Sequence, residues 1–401
     1  MADHSTQANQ SDRLRKRWLS PIANWPLGIS VLFLTLLVVA VISYGAVNPI
    51  ATGQNATAPS SKPATKATSK PVIAKWLARP FPPDQVNLIV FGDFGNGKPS
   101  QKDNAKTMAN YVQKTGLQFN GALTVGDNFY VKMKDVDDWQ FQALFEDMYD
   151  AKRLNFPYFA TSGNHDYEKA EPPNGKLKVD LEREYTALHP DSRWKYPARW
   201  YRVDFPQGAA RPLLTALMLE SSMPRMTPED WEAQKKWMDE QLAESNATWK
   251  IACAHHPFFS NGSHGDNGVM QMEWGPIFKK RGLDMYVAGH DHDLQHLEVK
   301  GWPFSFVQAG GGGQPITDMR RDIRGPFSRK IYGFIHLHFE GETAEVRYVA
   351  SPDAKIIHHF ERDKETGEVT VISSTPRDKA TTKPLKTLIG VGETDVKPEK
   401  K

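Results

Sequence analysis

Five short apolar runs in this sequence each stop at a turn carrying carboxylate, amide, phenol or imidazole side chains, and this pattern limits the available folds more than any other feature. LIVFGDFG ends at Asp93, LTVGDNFY at Asp127 and Tyr130, and FATSGNHDY at Asn164, His165 and Asp166. IACAHHP ends at His255 and His256, and YVAGHDH at His290 and His292. Short β-favouring runs bounded by glycine read as strands. In open α/β sheets ligands gather outside the carboxyl ends of the strands, so five segments far apart in sequence converge on one site. Glycine before the polar residues lets the chain turn sharply out of the sheet.

The residue types suggest the chemistry. Carboxylate, imidazole, amide oxygen and phenolate without thiolate form a ligand set for hard to borderline metals such as Fe, Mn or Zn. Asp93, Asp127, Tyr130, Asn164, His255, His290 and His292 are too many for one ordinary ion. Two ions ~3.5 to 4 Å apart, bridged by one carboxylate, would use them all, and such pairs clamp the attacking and leaving oxygens of a displacement at phosphorus. The His290-x-His292 spacing places both imidazoles on one side of an extended chain, one for each ion. Cys253 is the single cysteine, which excludes an intramolecular disulfide and a cysteine-based zinc site; within WKIACA it reads as a small buried residue.

The strand candidates are NLIVF, GALTV, PYFAT, LLTALML, WKIACA, DMYVA, PFSFVQA and YGFIHLHF. Between them, 101–115 places Met108, Tyr111 and Val112 on one helical face and stops at Gly116, while Thr227-Pro-Glu-Asp opens a helix bearing Trp231, Met238 and Leu242. Strands alternating with helices give an α/β domain, and the quick succession of strands after His290 implies mixed sheets. Residues 27–47 are uncharged for 21 residues, close to the ~20 that carry a helix across a bilayer. Arg13, Arg15, Lys16 and Arg17 precede this run and the next basic residue is Lys62, which orients the N-terminus to the cytoplasm and the rest to the periplasm or the cell exterior. Cleavage near Ser43, Gly45 and Ala46, giving a secreted protein, is the alternative. The expected order is a basic cytoplasmic tail at 1–26, a transmembrane anchor at 27–47, an Ala/Thr/Ser/Pro/Lys stalk at 48–79, the α/β domain at 80–370 and a disordered tail at 371–401. With 50 basic against 47 acidic side chains, nothing in the charge balance calls for nucleic acid as a partner.

The five blocks, in this order, resemble the calcineurin-like metallophosphoesterases, whose shared pattern runs D, GD, GNH, a histidine after a strand, and GHxH. GDNFY, with a tyrosine three residues after the aspartate, narrows the resemblance to the purple acid phosphatases. FQALFEDMYD, RWKYPARWYRVDF and GHDHDLQHL are similar to the small tartrate-resistant type. The resemblance implies a sandwich of two mixed β-sheets flanked by helices and a binuclear centre. Asp93, Tyr130 and His292 would hold Fe(III), Asn164, His255 and His290 a divalent Fe, Zn or Mn, and Asp127 would bridge them. It implies hydrolysis of phosphate monoesters by a metal-bound hydroxide, with His165 and His264 contacting the phosphate or protonating the leaving group, and an acidic optimum. His256 stands where relatives often carry tyrosine, which leaves open which of the adjacent pair binds metal. A phosphodiesterase or nucleotide phosphatase using Mn or Zn is the alternative enzyme, and a binding protein that kept the fold without the chemistry is the alternative outside the enzymes.

Other features read as structural. His336 and His338 alternate along a strand and suggest a solvent-facing stripe, and His358 and His359 receive no role. Gly310 to Gly313 suggests a tight loop near the site rim, and Trp194, Trp200, Trp231 and Trp237 suggest packing. Asn55, Asn246 and Asn261 begin N-x-Ser/Thr sequons.

Overall fold

A computed structural model describes residues 81–320 and 324–378. The basic tail, the anchor at 27–47, the stalk and the sequon at Asn55 lie outside the described residues. Among the described residues no helix is long and apolar enough to cross a membrane.

Two mixed sheets face one another. In the first, β1 (Gln85–Phe91), β2 (Gly121–Val125), β3 (Tyr158–Thr161) and β4 (Trp194–Lys195) run parallel. An antiparallel meander of β12 (Gly333–Glu340), β13 (Thr343–Ala350), β14 (Lys355–Asp363) and β15 (Val369–Ser374) joins the other side of β1. The second sheet has a parallel centre of β6 (Leu214–Met218), β7 (Trp249–Cys253), β8 (Met285–Ala288) and β10 (Ser305–Ala309). Antiparallel β5 (Tyr201–Phe205) borders β6, β9 (Leu294–Leu297) borders β10, and β11 (Phe327–Arg329) borders β9 at the other edge.

Alternation along β1 shows how the layers form. Val86, Leu88 and Val90 pack between the sheets with Ile251, Cys253, Met285 and Val287. Ile89 and Phe91 point the other way, into a layer that includes Met108, Tyr111 and Val112 of α1 (Pro99–Thr115). A strand covered on both faces reads as a continuous apolar run, which is how NLIVF appears in the sequence. Outside the second sheet, Ala252 and Tyr286 pack with Trp231 and Met238 of α3 (Pro228–Glu244), and with Trp274 and Phe278 near α5 (Gly275–Arg281). The remaining helices are α2 (Lys178–Leu188) and α4 (Gly268–Glu273). Helix limits follow local chemistry: α1 opens on Pro99 and stops at Gly116 with φ 65°, and the Thr227 side chain accepts the Asp230 N–H at 3.1 Å at the start of α3.

The structure corrects three expectations from the sequence. His336 and His338 do not face solvent; they are 0% and 6% exposed. The Tyr111 hydroxyl of α1 lies 3.0 Å from His336 Nδ1, and Asn87 Oδ1 lies 3.1 Å from His336 and 2.8 Å from His338, so the alternation marks a second buried face. Residues 371–374 continue β15 rather than opening a tail, because the free edge of β14 offers backbone partners. Beyond it, Thr375 N–H donates to Ile357 O at 2.8 Å and Asp378 N–H to Ser328 O at 3.0 Å. Asn261 is buried and its amide nitrogen donates to Arg324 O and Ser328 Oγ at 3.0 and 2.9 Å, which leaves no room for a glycan.

Candidate metal centre

The candidate residues all leave the carboxyl ends of parallel strands, β1, β2 and β3 from one sheet and β7 and β8 from the other. Asp93, Asp127 and His290 carry positive φ values of 60°, 51° and 73°, a region that side chains other than glycine's rarely occupy. Strain repeated at three strand ends marks turns built to aim side chains. Gly163 shows how tight the packing is, since a Cβ there would lie 2.2 Å from Asp127 Oδ1. The Gly310–Gly313 loop lies against this rim as expected: Gly312 N–H donates to Gly92 O at 3.0 Å and Gln314 N–H to Asp93 O at 2.9 Å.

The seven residues form one connected set of ligand atoms divided by Asp127. Asp127 Oδ2 faces the Tyr130 hydroxyl at 3.0 Å. That hydroxyl lies 3.4 Å from Asp93 Oδ1 and 3.5 Å from His292 Nε2, and the His292 and Asp93 atoms are 3.5 Å apart. Asp127 Oδ1 faces His255 Nε2 at 3.4 Å, and the same nitrogen lies 3.1 Å from Asn164 Oδ1 and 3.1 Å from His290 Nδ1. His255, not His256, enters the cluster. His256 turns its Nδ1 to Ser221 Oγ at 2.9 Å, and its ring packs 4.5 Å from that of His290.

The donor set fits cations. Val125 O sits 2.8 Å from His255 Nδ1 and takes that proton, so the Nε2 of the neutral ring presents a lone pair to an amide oxygen and a carboxylate. Pro315 O likewise takes the Nδ1 proton of His292 at 2.8 Å. Burial lowers this imidazole, but Asp93 beside it outweighs burial and raises it to about 9, so its Nε2 is free for a ligand role only when a cation displaces the proton. Acceptors aimed at acceptors in a buried site are the arrangement a metal ion satisfies. Burial raises the Asp127 carboxyl, but His255 and His165 outweigh it and hold the group below its usual value. Burial, then Asp127 and Asp93, push the Tyr130 phenol well above its usual value, so ionising it here requires a cation in contact. Burial and the neighbouring imidazoles keep His290 neutral.

His165 and His264 flank the cluster. The His165 ring packs 4.7 Å from Tyr130 and its Nδ1 lies 2.9 Å from Glu168 Oε1. The His264 ring packs 4.0 Å from His290 and its Nδ1 lies 2.8 Å from Asp291 Oδ1. Burial lowers both imidazoles, but the carboxylates beside them dominate and raise them above their usual value. Several supporting residues have no role in the sequence reading. Asp166 accepts the N–H groups of Gly163, Asn128 and Phe129 and so ties the turn after β3 to the turn after β2. Buried Glu220 accepts from Ser162 and from Tyr167 at 2.5 Å, while Lys178 Nζ donates to Glu168 at 3.1 Å. Asp166 and Asp291 lie inside GNHD and GHDH, and a carboxylate directly beside the ligand histidines was the available signal.

Comparison with known proteins agrees with this geometry. The profile of the family described as "Calcineurin-like phosphoesterase" matches residues 86–294 of the 401-residue chain. Rat "Tartrate-resistant acid phosphatase type 5" is 26% identical over 297 residues, covering 68% of this chain and 84% of the relative. "Purple acid phosphatase 4" of Arabidopsis thaliana is 30% identical over 250 residues, covering 58% and 70%. The purple acid phosphatase PPD1 of yellow lupin superposes with a TM-score of 0.56 at 16% identity, covering 76% of this chain and 58% of that one. "GAP50 the anchor in the inner membrane complex of Plasmodium" superposes with a TM-score of 0.58 at 18% identity, covering 73% and 91%. A strand-end cluster of this composition and a family match spanning all five of its turns place the chain in the calcineurin-like phosphoesterase family.

Proposed function

We propose that the chain is an acid phosphatase of the purple type, hydrolysing phosphate monoesters at two metal ions. The observation that carries this reading is the division of the cluster by Asp127, one oxygen toward Tyr130 and the other toward His255. Asp93, Tyr130 and His292 would hold Fe(III), Asn164, His255 and His290 a divalent Fe, Zn or Mn, and Asp127 both. Bound there, such a pair draws the ester dianion and acidifies a water for attack on phosphorus. The chain's own contribution is positional. Val125 O and Pro315 O hold two imidazoles in their ligating tautomer, and His165 and His264 stand beside the cluster to bind the phosphate or protonate the departing oxygen.

Metal analysis with a visible spectrum, combined with turnover of p-nitrophenyl phosphate and bis(p-nitrophenyl) phosphate, tests the assignment. Iron, a broad visible band and preference for the monoester are expected. A colourless protein holding Mn or Zn that prefers the diester would replace this reading with a phosphodiesterase. Two bound metals without turnover of either ester would contradict catalysis. We also propose that 27–47 anchors the domain outside the cytoplasm, on its composition alone. Release of the full chain by salt washing of membranes would contradict the anchor.

A further inference from the structure

We propose that Asp291 is a positioning residue, holding His264 in the one tautomer and orientation that present Nε2 to the leaving oxygen of a phosphate ester. The proposal rests on the phosphatase reading above and concerns which of the two flanking histidines serves as the acid.

Asp291 lies between two candidate ligands but its side chain turns away from the ligand set. It is 0% exposed, and its Oδ1 accepts from His264 Nδ1 at 2.8 Å and from the His264 backbone N–H at 3.0 Å. Its Oδ2 accepts from Ser260 Oγ at 2.5 Å. A carboxylate only accepts, so the His264 proton at Nδ1 is fixed there and the ring's free nitrogen is Nε2. The His264 side chain keeps 40% exposure while its ring packs 4.0 Å from His290, so it meets both solvent and the cluster. Gly262 makes the contact possible: a Cβ there would lie 2.3 Å from the Asp291 carboxyl carbon. The loop SNGSHGDNG is thus shaped around a buried carboxylate. His165 differs. Its partner Glu168 is 41% exposed, where Asp291 is fully buried.

In the step assigned to this pair, the oxygen of water forms a bond to phosphorus while the ester P–O bond breaks, its electron pair staying on the leaving oxygen. With the Nδ1 proton kept toward Asp291, the acid is the imidazolium of His264: its Nε2 proton passes to that oxygen, releasing the alcohol and leaving the Nδ1–H tautomer. The attacking water releases a proton to solvent, and solvent reprotonates Nε2. Leaving groups that need this proton depend on the pair more than those that do not.

Rates on methyl phosphate and p-nitrophenyl phosphate, with metal content measured on every sample, test the proposal in the full chain, D291N, S260A, H264A and the D291N/H264A double variant. D291N is expected to lose on the order of 10²-fold in kcat on methyl phosphate and less than about 10-fold on p-nitrophenyl phosphate. S260A should show the same bias at smaller size, and adding D291N to H264A should cost nothing further on methyl phosphate. Equal losses on both esters, or additive losses in the double variant, would overturn the role of Asp291. If D291N sheds metal, S260A decides: no leaving-group bias there overturns the proposal. Failure of the unaltered chain to hydrolyse either ester would instead remove the phosphatase reading itself.

Discussion

Among the described residues, buried or partly buried histidines gather in two regions, and they are paired differently. In the antiparallel part of the first sheet and the strands facing it, each finds a protein partner. His336 sits between Tyr111 and Asn87, and His358 between His296 at 2.9 Å and Ser374 at 3.0 Å. At the carboxyl ends of the parallel strands, His255 and His292 each spend one nitrogen on a backbone carbonyl and turn the other to carboxylate, amide or phenol oxygens. Burial of an imidazole is therefore no sign of a ligand. The sign is one ring nitrogen held by a backbone carbonyl while the other faces carboxylate, amide or phenol oxygens at a strand end.

Breaking the shared carboxylate should have the largest effect. Asp127→Asn is expected to lower kcat on the order of 10³-fold and reduce bound metal below two per chain, read by elemental analysis and p-nitrophenyl phosphate turnover. Unchanged activity would erase the distinction between the two regions.

His336→Ala should do the reverse, destabilising the fold by about 3 kcal/mol through a cavity and the loss of its bonds to Tyr111 and Asn87, with metal content unchanged. Urea unfolding and metal analysis check it together. Tyr130→Phe is expected to abolish the visible band and lower kcat about 10- to 100-fold while the second metal is retained. A band that survives would place the chromophore elsewhere.

The smallest effect is a pH dependence of stability from the structural region. Burial, then His296 and His359, pull His358 down to about 3, below its unfolded value. The titratable groups around it are His296, bonded to Glu298, and His359, bonded to Glu345. Because the unfolded chain takes up this proton near pH ~6.5 and the folded chain does not, stability falls as pH drops below that value. Between pH 7 and 5.5 the loss from this group is about 1 kcal/mol, and His358→Gln should flatten the urea-midpoint profile by that amount.

Much of the site was legible because its chemistry is written in short contiguous motifs. Asp127, Tyr130, Asn164, His255, His290 and His292 each sit in a turn after an apolar run, where strand, glycine and ligand are adjacent in sequence. The burial of His336 and His338 was not legible, since whether the second face of a strand is wet depends on where α1, some 220 residues earlier, comes to rest. The pairing of His264 with Asp291 spans 27 residues and depends on Gly262 admitting the carboxylate. Residues 371–374 read as tail because VTVISS is too short to be recognised as a strand by itself, and only pairing with the edge of β14 makes it one.

The most direct test is anomalous diffraction from metal-loaded crystals of the protein. Two peaks ~3.5 to 4 Å apart, one beside Tyr130 and one beside His255 with Asp127 touching both, are the predicted result. A single peak, or two peaks without Asp127 between them, would contradict the binuclear account.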